Sequence, residues 1–198
     1  MRIIGGTARG RRVKVAKGRA VRPTAARVKE ALFDILPHDL SGSKVLDLFA
    51  GTGNLTIEAM SRGAAEAVLV DLSETSGKLI RENLRRLNLA QRSKVWIMPV
   101  ARAVRLLARQ RETFDLVFLD PPYERQLVEA TLKIIGKENI LRDSAVLIAE
   151  HSVREGVKPQ YESLSLTDQR RYGSTLLSFF KSAAKPESIL RGPVQHGT

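Results

Sequence analysis

The chain has no cysteine among its 198 residues. That excludes a disulfide framework, a thiolate metal site and a cysteine nucleophile together. The histidines His38, His151 and His196 are scattered without metal-ligand spacing, so no metal is expected. No apolar run approaches the ~20 residues of a membrane-spanning helix, and Met1 to Gly6 lacks the apolar segment of a secretory leader. A soluble, cytoplasmic, monomeric protein with no membrane partner is the expectation.

Acidic side chains are missing from the opening stretch, where the first is Glu30. Before it stand Arg2, Arg9, Arg11, Arg12, Lys14, Lys17, Arg19, Arg22, Arg27 and Lys29, within a chain of net charge +12. Such an uneven excess reads as an electrostatic footprint for a phosphate backbone. The predominance of arginine, interleaved with Gly5, Gly6, Gly10 and Gly18, favours nucleic acid over a merely solvated arm.

The hydrophobic content of 43% suits one domain with a real core. From about residue 24 onward, strand-like and helix-like segments alternate, which predicts an α/β fold with a mostly parallel sheet. Strands are expected at residues 44–49, 67–71, 94–98, 114–119 and 144–150. Helices are expected at 24–36, with Thr24 as N-cap, and at 54–62, 74–88, 101–110 and 125–135. Two further strands, 161–171 and 174–181, joined at Tyr172-Gly173, would add a C-terminal antiparallel hairpin and make seven strands. Residues 1–20 are read as a small basic β-hairpin extension, 21–182 as the main domain, and 183–198 as a disordered tail.

The most informative stretch is Asp120-Pro121-Pro122-Tyr123, directly after the apolar run Phe114 to Leu119. Prolines stop a strand and fix the direction of nearby carbonyls. The result is a set of acceptors and a flat ring at a strand's C-terminal end, the edge where open α/β sheets bind ligands. That arrangement suits capture of a planar group bearing an N–H₂, or else a Pro-Pro turn with a surface tyrosine.

Asp47-Leu48-Phe49-Ala50-Gly51-Thr52-Gly53-Asn54 lies between the first strand and a helix, where glycines admit a ligand close to the backbone. Thr56 occupies the place of a third glycine, which argues against a pyrophosphate. Asp71 ends the second strand about 20 residues past Gly51, the distance for an acid that accepts from ribose hydroxyls. Two carboxylates at Asp47 and Asp71 suit a cationic nucleoside such as S-adenosylmethionine.

Together these motifs resemble a class I S-adenosylmethionine-dependent methyltransferase with a Rossmann-like fold. With Met1 to Gly6, Arg22-Pro23-Thr24, Arg27 and Tyr172-Gly173, the chain is similar to the bacterial 16S rRNA guanine-N2 methyltransferases of the RsmD type. That resemblance implies transfer of a methyl group to one guanine of 16S rRNA in the small ribosomal subunit, leaving S-adenosylhomocysteine. It implies cofactor contacts from Asp47, Phe49, Ala50, Gly51, Gly53, Asn54, Asp71 and Leu72. Asp120, Pro121, Pro122 and Tyr123 would be catalytic, and Arg2, Arg9, Arg11, Arg12, Lys14, Arg22, Thr24, Arg27 and Tyr172 would meet RNA. The rival readings are an adenine-N6 or protein glutamine methyltransferase and a non-catalytic RNA-binding protein on the same scaffold.

Overall fold

The computed structural model describes residues 1–15, 23–123 and 125–182. Lys17, Gly18, Arg19, Arg22 and the expected tail lie outside the described residues. Apolar runs in the middle of the chain become the buried strands β1 (Lys44–Leu48), β2 (Glu66–Asp71), β3 (Ser93–Ile97), β4 (Phe114–Leu119) and β5 (Leu141–Ser152). Between and before them lie α1 (Pro23–Ile35), α2 (Asn54–Ser61), α3 (Glu74–Arg86), α4 (Val100–Arg109) and α5 (Leu127–Lys137). The described residues end in β6 (Gln160–Tyr161), β7 (Leu164–Tyr172) and β8 (Thr175–Ser182). Helix α1 starts at Pro23 and not after a Thr24 cap, because proline's fixed φ and missing N–H fit the first helical position.

The strands form one sheet in the order β3-β2-β1-β4-β5-β8-β7-β6. β1 to β5 pair in parallel, and β8, β7 and β6 join antiparallel. The sheet has eight strands where seven were expected, because the two-residue β6 is too short to show a period in the sequence. Gly173, at φ 63°, supplies the positive φ that the tight β7–β8 turn requires.

Two apolar layers cover the sheet. Val28, Leu32 and Phe33 of α1, Ile57 and Met60 of α2, and Ile80 and Leu84 of α3 pack on one face. Ala103, Val104 and Leu107 of α4 and Val128, Leu132 and Ile135 of α5 pack on the other. Each such side chain contributes about 1.5–3 kcal/mol by leaving water. No helix among the described residues is long and apolar enough to cross a membrane.

The N-terminal residues pair as a small antiparallel hairpin, with Val13 N–H donating to the Met1 carbonyl at 2.8 Å and Ile3 N–H to the Arg11 carbonyl at 3.0 Å. A single antiparallel bridge joins Arg2 to Arg12, and Ile3, Ala8 and Val13 are buried in the same core as α1 and α2. The reason lies on α2. Glu58 is fully buried and accepts from the N–H groups of Ile4 at 2.9 Å and Gly5 at 2.7 Å. It also receives the ammonium of Lys29 at 3.0 Å, itself only 3% exposed, and Arg62 Nε at 3.2 Å. Ser61 Oγ donates to the carbonyl of Gly5 at 2.6 Å and accepts from the N–H of Ala8 at 2.9 Å. At Gly6, φ is 71° and a Cβ would stand 1.7 Å from the Ser61 carbonyl oxygen. Gly6 is therefore a docking residue, and Lys29 of the basic block is a core cation, so neither is part of a loose arm.

Candidate functional site

The C-terminal ends of β1, β2, β4 and β5 meet at one edge of the sheet. β1 turns there into a loop with three left-handed residues, Phe49 (φ 66°), Gly51 (φ 58°) and Gly53 (φ 74°). For Phe49 that conformation is uncommon, and such outliers collect where a ligand dictates the backbone. Gly53 caps α2 with no side-chain bond, and a Cβ there would press within 3.1 Å of Leu69.

The loop is pinned from β2. Ala50 N–H donates to the Val70 carbonyl at 2.9 Å, and Gly51 N–H donates to Asp71 Oδ2 at 2.8 Å. Asp71 Oδ1 accepts from Ser73 N–H at 2.8 Å. Each carboxylate oxygen keeps a second lone pair for a ribose hydroxyl. Next to it Leu72 is 71% exposed, a large apolar side chain left in water beside an acid. An acid with spare acceptors, an apolar shelf and a glycine loop without lysine or arginine fit a nucleoside that carries no phosphate, and so fit S-adenosylmethionine.

Asp47 is placed differently from a surface acceptor. It is 2% exposed and accepts from Thr56 Oγ1 at 2.7 Å, so the residue in the third-glycine place ties α2 to β1. Burial is the main cause that raises its carboxyl to about 7, with Thr56 opposing. Asn54 faces the Lys29 ammonium at 3.2 Å. Asn83 of α3 bridges the loop to the basic segment, its Nδ2 donating to the Thr52 and Lys14 carbonyls, each at 3.0 Å.

Asp120 follows β4, its N–H 3.5 Å from the Leu48 carbonyl of β1. Its carboxylate accepts no hydrogen bond from the described residues. The side chain keeps a partial opening to solvent, yet burial first, and then the Glu150 and Asp47 carboxyls, raise its pKa well above the ordinary range. No ion pair neutralises the three acids among the described residues. A partly exposed acceptor that takes no donor from the described residues is left free for water or for a ligand's N–H. Pro121 is buried and Pro122 exposed, so the turn presents the Asp120 side chain between β1 and β5.

Tyr123 is half-buried and its hydroxyl donates to Glu150 Oε1 at 2.7 Å, with Thr175 Oγ1 at 3.1 Å. Burial, and next the Glu150 carboxylate, push its phenol above its usual value. Glu150 is itself raised by burial, with the Tyr123 bond opposing. Sequence reasoning missed Glu150 and Thr175. Glu150 carried a signal: like Asp71 and Asp120, it is an acid that directly follows an apolar run.

Of the expected RNA contacts, Arg2, Arg9, Arg11, Arg12 and Arg27 are exposed. Arg11 donates to the Arg86 carbonyl, and Lys14 pairs with Glu82. Thr24 lies in the first turn of α1. Tyr172 is half-buried against the core and pairs with Thr175, which places the hairpin tip next to Tyr123. Arg22 lies outside the described residues. No cluster of acids and histidines among the described residues is arranged to hold a metal.

Residues 1–181 match the family model described as conserved hypothetical protein 95. Ribosomal RNA small subunit methyltransferase D of Escherichia coli (strain K12) is 32% identical over 188 residues, covering 95% of this chain and 93% of the relative. The solved structure of the Escherichia coli protein yhhF is similar at a TM-score of 0.80 and 29% identity, covering 93% of this chain and 99% of that one. A SAM-dependent methyltransferase from Agrobacterium tumefaciens has a TM-score of 0.59 at 19% identity over 81% of this chain and 63% of its own, a likeness of fold alone.

Proposed function

The chain belongs to the RsmD family of methyltransferases, and from that premise we propose that it methylates the exocyclic N2 amine of one guanine in 16S rRNA within the small ribosomal subunit. The observation that carries this reading is the Asp120 carboxylate, an acceptor without a donor between the glycine loop and Tyr123. S-adenosylmethionine, when bound, supplies an electrophilic methyl group on a sulfonium.

The chain's own residues do the rest. Phe49 to Gly53, Asp71 and Leu72 hold the nucleoside at the ends of β1 and β2. The target base, splayed from its stack, enters beside β4, where Tyr123 replaces the lost stacking. Asp120 and the Pro121 carbonyl accept the two amine hydrogens and aim the nitrogen lone pair at the methyl position. N–H donors favour an ionised carboxylate and so offset the burial of Asp120. The same burial, the largest cause of its raised pKa, gives Asp120 the proton affinity to take the surplus amine proton. An acceptor-only carboxylate also suits guanine N1–H and repels the bare adenine N1, which supports guanine.

Arg2, Arg9, Arg11 and Arg12 carry no ion pair among the described residues, and they hold RNA phosphates without reading sequence. Arg→Glu substitutions at 9, 11 and 12 should weaken subunit binding and flatten its dependence on salt by about one power per lost contact. Cofactor affinity should stay unchanged. The reaction is tested with labelled cofactor and small subunits that lack the modification, the product nucleoside being identified by mass. Recovery of N2-methylguanosine supports the proposal, and a methylated adenosine or no product overturns it.

A further inference from the structure

Resting on that reading, we propose that Glu150 and Thr175 are positioning residues that hold the Tyr123 ring at the place where the target base stacks. The three lie on three separate segments that the sheet brings together. Leu119 of β4 pairs with Ala149 of β5, so Asp120 and Glu150 come next on adjacent strands. On the other side, Glu150 pairs with Leu177 and Ser152 with Thr175 of β8. Residues two apart on a strand share a face, so Glu150 and Thr175 are diagonal neighbours on one face.

The phenol has one proton, and it goes to Glu150 Oε1 at 2.7 Å. Thr175, 3.1 Å away and buried, must then donate its own proton to the phenol oxygen. Two hydrogen bonds at the far end of the side chain, with both partners in strands, fix where the tip of the ring stands, and the preference of a phenol O–H for the ring plane biases the turn of the ring about its long axis. A stacking platform gains from such fixation because the bound geometry is organised before the base arrives. The hairpin β7–β8 thereby contributes to the base pocket through the residue that follows its tight turn.

The test compares Y123F, E150A, E150Q, T175V and the Y123F/E150A pair in steady-state methylation of unmodified small subunits. Y123F and E150A should each lose about 10- to 100-fold in kcat/KM for the subunit, the effect of a hydrogen bond to a charged group. The double variant should be no worse than either single one, E150Q should recover most of the loss, and affinity for S-adenosylhomocysteine should stay within about twofold. Full activity of Y123F, or a separate loss from E150A in the Y123F background, overturns the proposal. Ultraviolet titration reads the same contact without substrate. The difference between wild type and Y123F isolates the Tyr123 phenol, and E150A should return its ionisation toward the ordinary value; an unmoved titration overturns the anchorage. The wild-type reaction decides the proposed chemistry, whereas the variant ratios and the titration decide the anchorage.

Discussion

Asp120→Ala is expected to lower the single-turnover methylation rate by about 10²–10³-fold at saturating subunit and cofactor, the effect of removing one preorganised polar group from a reacting centre. The loss should fall on the chemical step. The Asp120 carboxylate makes no hydrogen bond to the described residues, so its removal breaks no side-chain contact and relieves a crowd of carboxyls. Stability should hold or rise, and calorimetric affinity for S-adenosylhomocysteine should change little. Asp120→Asn should retain part of the rate, because its amide oxygen accepts one amine hydrogen while its N–H₂ meets the other donor. Near-wild-type turnover by the alanine variant would sink the assignment of Asp120.

Glu58→Ala should cost about 3–5 kcal/mol of folding stability, the range for breaking a buried ion pair from one side. The carboxylate serves the Lys29 ammonium, Arg62 Nε and the N–H groups of Ile4 and Gly5. Its loss leaves Lys29, 3% exposed, as an uncompensated interior charge. Urea unfolding should show a lower midpoint at an unchanged slope. Replacing the pair together, Lys29→Met with Glu58→Gln, should recover part of the loss, because the amide oxygen still accepts from the Ile4 and Gly5 N–H groups while no ammonium is left buried. A drop under about 1 kcal/mol for Glu58→Ala would mean that the pair is solvated, against its burial.

The layout of the sheet was legible because strands and helices impose different periods on apolar residues. β1, β2 and β4 stand within a residue of their expected bounds, and the glycine loop, Asp71 and Asp120 fall at adjoining strand ends, as the parallel order requires. What was not legible depends on partners distant in sequence. Lys29 looks like one more basic residue until α2 brings Glu58 against it, and Gly6 looks like a flexible arm until Ser61 occupies the space of its Cβ. Asp47 sits beside the glycines as an open acceptor would, yet its bond to Thr56 turns it inward. Glu150 was overlooked because its meaning depends on a tyrosine 27 residues earlier and a threonine on the last strand.

The docking of residues 1–15 also governs how the basic segment is to be dissected. Deleting these residues would remove Ile3, Ala8 and Val13 from the interior and leave Glu58 without two backbone donors. A truncated chain that fails to bind RNA would therefore report a damaged core and say nothing about phosphate contacts. The guanidinium groups at the surface and the apolar residues between them are separate devices on one strip of backbone, separable by substitution and inseparable by scissors.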